Sequence, residues 1–121
     1  MLGDAWIDEW QEGFERRAAQ AQELSRRMER LTAGGSDRRG LVTVSVDASG
    51  VLQELRLDPR IRDRTPAETA ELIMTAYRSA LADLTAKVTA ATAETVGVDT
   101  EVGQAIVDAY ARRAAERLGD G

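Results

Sequence analysis

The chain has 121 residues, 43% hydrophobic and only 4% aromatic, with a formal net charge of −5 and neither cysteine nor histidine. That length supports one domain with a modest core of Ala, Val and Leu, a kind of core that often gains its missing burial by oligomerising. The missing Cys and His exclude disulfides, thiolate nucleophiles, imidazole bases and the usual zinc sites, and the acidic balance argues against a simple phosphate-binding surface.

In chain order, the N-terminus carries Asp4, Asp8 and Glu9 instead of the basic start and apolar run of a secretory signal. No stretch approaches the ~20 apolar residues that span a bilayer. A soluble, cytoplasmic protein is expected. Residues 4–31 predict one long helix with a single interior glycine, Gly13. Ile7, Phe14, Ala21 and Met28 recur at one heptad position, and Trp10, Arg17, Leu24 and Leu31 at its partner position. All but Arg17 are apolar or small, the narrow stripe of a coiled-coil contact. At ~1.5 Å per residue the helix is roughly 40 Å long and outruns a small domain. The stripe can pack on its own domain or against a second subunit, and the thin core favours the second.

Thr32 to Gly40 (TAGGSDRRG) breaks the helical pattern and marks a loop with room for a short edge strand. Residues 41–58 predict a β-hairpin. Val42, Val44 and Val46 point one way, Thr43 and Ser45 the other. Asp47-Ala48-Ser49-Gly50 is turn chemistry, with Gly50 suited to positive φ. In the second strand Val51, Gln53, Leu55 and Leu57 share one face, and Leu52, Glu54 and Arg56 the other. Two strands alone are marginal in water, so helices must cover one face. A polar connector runs from Asp58 to Arg64. Thr65, Pro66 and Glu68 then supply an N-cap, a first-turn proline and a capping-box acid for a helix over 65–95. Its apolar stripe runs from Leu72 to Val88, and it stops near Gly97. Asp99 or Thr100 can cap a last helix over 100–118, with Val102, Ile106, Val107, Tyr110 and Leu118 as its apolar positions. The fold class is α+β, with a long N-terminal helix, a small antiparallel sheet and two C-terminal helices in a single domain over residues 1–121.

Little here points to catalysis. The locally paired acids Asp8/Glu12, Asp58/Asp63 and Glu68/Glu71 lie on predicted exposed faces or in the connector, without the burial that acid–base work by paired acids needs. Gly34-Gly35 lacks the spacing of a dinucleotide or phosphate loop. Lys87, the only lysine, falls mid-helix. No catalytic residue, metal ligand or cofactor is expected.

The arginines are the more informative group. Arg16, Arg17, Arg26, Arg27 and Arg30 gather in the second half of the first helix, and Arg112, Arg113 and Arg117 in the last. Arg38 and Arg39 lie in the loop, and Arg60, Arg62 and Arg64 in the connector. Arginine suits bidentate phosphate contact. The competing reading is solvated charge, with Glu12–Arg16 and Glu23–Arg27 as i,i+4 pairs that support an exposed helix. No aromatic residues interleave with the arginines, which disfavours stacking on single strands.

The sequence GLVTVSVDASG (40–50), followed by LRLDP (55–59) and preceded by the Gln- and Ala-rich run from Ala18 to Leu24, resembles the YbaB/EbfC family of nucleoid-associated proteins in a divergent form. The resemblance covers about residues 10–95. It implies an intertwined, tweezer-like homodimer that binds double-stranded DNA with little sequence preference, in the cytoplasm at the nucleoid. It places DNA contact on the protruding helices, here Arg16, Arg17, Arg26, Arg27 and Arg30 of the first and Arg112, Arg113 and Arg117 of the last. Trp10, Phe14, Leu24, Met28, Leu31, Val42 and Val44 are the expected dimer interface. The alternative is a protein-interaction module that kept the dimer fold and lost DNA binding. Trp6 and Trp10, aromatic anchors of the kind found at interfaces, are the expected contact with another protein.

Overall fold

The computed structural model describes residues 2–97 and 100–119, with side chains over 5–97 and 100–116. Its elements are α1 (Leu2–Arg30), β1 (Thr32–Ser36), β2 (Val42–Asp47), β3 (Leu52–Leu57), a 3₁₀ turn (Pro59–Asp63), α2 (Pro66–Thr95) and α3 (Glu101–Gly119). The strands form one antiparallel sheet in the order β1-β2-β3. β2 is therefore central, and its valines behave as the alternation predicts: Val42, Val44 and Val46 are fully buried, while Thr43 faces out.

Within 32–40, read as a loop with room for a short edge strand, residues 32–36 form the edge strand β1. β1 pairs Thr32 with Asp47 through to Ser36 with Thr43. Its glycines are explained by packing: a Cβ on Gly35 would sit 2.2 Å from the backbone nitrogen of Ala80 and 2.6 Å from the carbonyl oxygen of Ala76. The backbone of β1 thus lies directly on α2, which crosses β1 and β2 through the buried small residues Ala76 and Ala80. Asp37 closes the β1–β2 turn. One carboxylate oxygen accepts from the Val42 N–H at 2.7 Å and the other from the Arg39 N–H at 2.9 Å. Burial alone pushes this carboxyl up, but the backbone N–H donors together outweigh it and leave it below its ordinary value.

The β2–β3 turn follows the sequence reading. Gly50 has φ +78°, and the Asp47 carboxylate accepts from the Ser49 and Val51 N–H groups. The Tyr77 hydroxyl donates to the Gly50 carbonyl at 2.8 Å, fixing the turn to α2. β3 departs from the expected facing. Leu57, Leu55 and Leu52 pair with Val42, Val44 and Val46, because Gln53 is an extra residue between Leu52 and Glu54. Leu52 therefore joins the face of Leu55 and Leu57 instead of opposing it. α2 covers β1 and β2 but not β3, so every β3 residue is exposed, with Leu52 at 48%, Leu55 at 41% and Leu57 at 46%.

The helix boundaries have local causes. Thr65 caps α2 by accepting from the Glu68 N–H at 3.1 Å, with Pro66 next in line. α2 ends at Thr95 before Gly97, whose φ is +83°. Thr100 caps α3 by accepting from the Gly103 N–H at 3.0 Å; the other expected cap, Asp99, lies outside the described residues. The connector contains a 3₁₀ turn, with Asp58 accepting from the Arg60 N–H at 2.9 Å and Ile61 packed against the core.

Candidate nucleic-acid interface

α1 divides into an arm and a base. Every described side chain from residue 5 to 23 is exposed except the half-exposed Gly13, and Leu24 is the first buried residue. The base, with Leu24 and Met28 and with Leu31 just after it, packs on the body, and Arg17, Gln20 and Ala21 border a hollow with Val96, Thr100 and Val102. About 15 residues at ~1.5 Å each extend roughly 22 Å beyond that hollow. The arm carries its own apolar stripe into solvent: Trp6 is 68% exposed, Ile7 51%, Trp10 60% and Phe14 57%. Trp10 and Phe14 stack with ring centroids 5.9 Å apart.

The arginines of α1 are held differently from one another. Arg27 reaches across to an ion pair with Glu94 of α2, and Arg26 takes Glu23 at 3.4 Å. The expected Glu23–Arg27 pair is thereby replaced, because Glu94 offers Arg27 a tertiary partner. Arg16, Arg17 and Arg30 are exposed and have no carboxylate within 4 Å among the described residues, so the expected Glu12–Arg16 pair is not formed. In α3, Arg112 is likewise exposed and without an ion pair among the described residues. The Arg113 guanidinium lies over the Tyr110 ring at 5.2 Å. Burial raises the Tyr110 hydroxyl pKa, and the Arg113 charge partly opposes that. The side chain of Arg117 lies outside the described ones.

These arginines do not form one cluster within a chain. Arg17 lines a hollow with Thr100 and Val102 at the start of α3, whereas Arg113 lies beside Ser49 and Gly50 of the β2–β3 turn. Val102 and Arg113 are separated by roughly 16 Å of helix. A different group does converge: Arg39 of the β1–β2 turn and Arg64 before α2 line one open concavity with Glu68 and Glu71. Sequence spacing gave no sign of it, because the sheet brings the two segments together. Arg64 is already paired with Glu68 at 3.6 Å, and Arg60 with Asp58 at 2.9 Å.

Two expected interface residues are covered within the chain itself: Val42 and Val44 lie under α2 with 0% and 1% of their surface exposed. Trp10 and Phe14 are exposed, and Leu24, Met28 and Leu31 are partly or wholly covered by their own chain.

A model of the YbaB/EbfC DNA-binding family matches residues 6–98. The chain belongs to that family. The match spans α1, the sheet and α2 and ends before α3, so the YbaB/EbfC frame contains Arg16, Arg17, Arg26, Arg27 and Arg30 but not Arg112, Arg113 or Arg117. The chain is similar to a nucleoid-associated protein of Granulibacter bethesdensis, 36% identical over 75 residues, which cover 56% of this chain and 68% of that protein. It is also similar to a nucleoid-associated protein of Corynebacterium jeikeium, 36% identical over 63 residues, covering 51% of this chain and 61% of that one. Among the described residues, no helix is long and apolar enough to cross a membrane, and no three acids, histidines or cysteines are grouped as metal ligands.

Proposed function

We propose that this YbaB/EbfC protein is a nucleoid-associated, double-stranded DNA-binding homodimer. The observation that carries the reading is the family match across α1 and the sheet, on a chain whose α1 projects as an arm with Arg16, Arg17 and Arg30 free of ion pairs among the described residues. Exposed arginines without carboxylate partners can exchange water for phosphate without first breaking a salt bridge. Contact is with the phosphate backbone, and base readout is slight. The homodimer accounts for two apolar surfaces that the chain leaves bare: the leucines of β3 and the aromatic stripe of α1. No catalytic step is assigned.

A mobility-shift titration at two salt concentrations tests the reading. Phosphate binding gives a shift at low salt that weakens steeply as salt rises. No shift at micromolar protein and low salt refutes it for this chain. One observation favours a second reading, a protein-interaction module without DNA binding: the outer part of α1, residues 2–15, has five acids and no basic residue beside its exposed tryptophans. Loss of a protein partner on Trp6→Ala, with no DNA shift in the parent chain, would establish that module instead.

A further inference from the structure

We infer that the end of the sheet remote from the α1 arm carries a second phosphate-contact surface for double-stranded DNA, through which the protein holds a second duplex and bridges it to the first. The inference rests on the DNA-binding reading above and adds a site outside α1 and α3.

Two segments distant in sequence meet at this end. The β1–β2 turn carries Arg38 and Arg39, and the connector between β3 and α2 carries Arg60, Arg62 and Arg64. The Asp58 N–H donates to the Leu41 carbonyl at 2.8 Å, which holds the start of the connector beside the turn. Arg39 and Arg64 line one open concavity of about 610 Å³ together with the first turns of α2, as far as Thr75. Arg78 stands at the i+3 position from Thr75 and so continues the same helix face.

Most acids of this end are already engaged. Asp37 is buried, with its carboxylate turned onto the Val42 and Arg39 N–H groups. Asp58 takes Arg60, and Glu68 takes Arg64. Arg38, Arg39, Arg62 and Arg78 are exposed and have no carboxylate within 4 Å among the described residues. Against them stand Asp63 and Glu71, which form no ion pair among the described residues. Unpaired cations thus outnumber unpaired acids here. An unpaired guanidinium can take phosphate oxygens bidentately without first breaking a salt bridge.

The placement argues for a second duplex. β1 starts directly after α1 and runs away from it, pairing Thr32 with Asp47 and then Ser36 with Thr43 before the arginine turn. α2 runs back past the sheet to the arm. Glu71 in the concavity and Glu94, which holds Arg27 of α1, are roughly 35 Å apart along it. That exceeds the Debye length of ~8 Å at physiological ionic strength several times over, so the two arginine groups attract phosphate independently. The arm leaves the body at one end of α2 and the arginine turn lies at the other. A duplex lying across the arm leaves the turn free for another.

The test variant replaces Arg38, Arg39 and Arg62 together by alanine. All three side chains are exposed and without an ion pair among the described residues, and the Arg39 N–H keeps its bond to Asp37. A thermal melt by circular dichroism checks that the variant is folded. Bridging is read as capture of a labelled duplex by a bead-bound duplex of unrelated sequence, and binding at the arm as a mobility shift on a single duplex. The parent protein will capture the labelled duplex and release it as salt rises. The variant, at equal occupancy of the bead-bound duplex, will capture about tenfold less, because phosphate contacts are lost at one end only, and it will still shift a single duplex. A parent that shifts DNA but captures no second duplex, or a folded variant that captures as much as the parent, overturns the second surface and leaves the arm reading standing. A parent that shifts no DNA overturns both.

Discussion

Gly35→Ala is the sharpest test of how α2 is seated on the sheet. The new Cβ would lie 2.2 Å from the Ala80 nitrogen, 2.6 Å from the Ala76 carbonyl oxygen and 2.6 Å from the Ser79 carbonyl carbon. All three are backbone atoms of a continuous helix, so no side-chain rotation relieves the clash. Ordinary contact returns only if β1 and α2 part by about 1 Å, which also loosens Ala76 and Ala80 against their neighbours. Overpacking of this kind costs about 3 kcal/mol, the upper end of its usual range. At roughly 4 °C per kcal/mol for a chain of this length, the melting temperature falls by about 12 °C. The neighbouring Gly34→Ala is the control. Its Cβ would meet only the Val44 carbonyl oxygen at 3.5 Å, an ordinary contact, and the loss of unfolded-state freedom stabilises by roughly 0.5 kcal/mol. Thermal melts by circular dichroism, at one fixed protein concentration because association shifts apparent stability, compare the two. If Gly35→Ala melts within a couple of degrees of Gly34→Ala, the direct seating of β1 on α2 is wrong.

Replacing Arg16, Arg17 and Arg30 together by alanine will weaken DNA binding about equally on unrelated sequences, and fluorescence anisotropy across a salt series will show the log–log slope fall by about 0.9 for each phosphate no longer neutralised. Neutralising the tip by Asp8→Asn, Glu9→Gln, Glu12→Gln and Glu15→Gln will raise DNA affinity by about tenfold at low salt, equivalent to ~1.4 kcal/mol, with the gain shrinking as salt screens it; unchanged affinity refutes an electrostatic part for the tip in DNA binding. Asp37→Asn will cost about 1–3 kcal/mol at neutral pH, because an amide group cannot accept from both turn N–H donors. The Asp37 carboxyl is depressed in the folded chain, so its stabilisation is complete above its unfolded value near 3.8 and is lost as pH falls through the lower folded value. Urea melts at neutral pH and near pH 3 will therefore show a smaller acid loss in the variant than in the parent.

Alternation made β2 and its turn legible, since valines at every second position and an Asp-to-Gly turn are local signals. β1 was legible only as room for a short edge strand, because Thr32-Ala33-Gly34-Gly35-Ser36 has neither alternation nor bulk. Its strand character comes from pairing with β2 and from a glycine backbone pressed onto a helix distant in sequence. The facing of Leu52 was hidden for a related reason: a single extra residue, Gln53, inverts every residue on one side of it. Periodicity identified the apolar face of β2 but could not tell whether a helix of the same chain or a second subunit covers it, which is why Val42 and Val44 were expected at an interface. The arginines were legible as a group but not in their partners, because i,i+4 spacing sees Glu23 and not Glu94, which takes Arg27 from the far end of α2.

The net charge of −5 looks at odds with DNA binding only while it is averaged over the molecule. The five acids between residues 2 and 15 account for all of it, and the remainder of the chain is neutral with its arginines grouped. Those acids occupy the outer end of α1, whereas Arg16, Arg17 and Arg30 lie nearer the body. Phosphate is therefore repelled along the tip and attracted along the inner half of the same helix, so the opposing charges are separated along the helix even though their sum is acidic. Both effects are electrostatic and fall off within a Debye length, so raised salt shrinks the tip's repulsion together with the arginines' attraction.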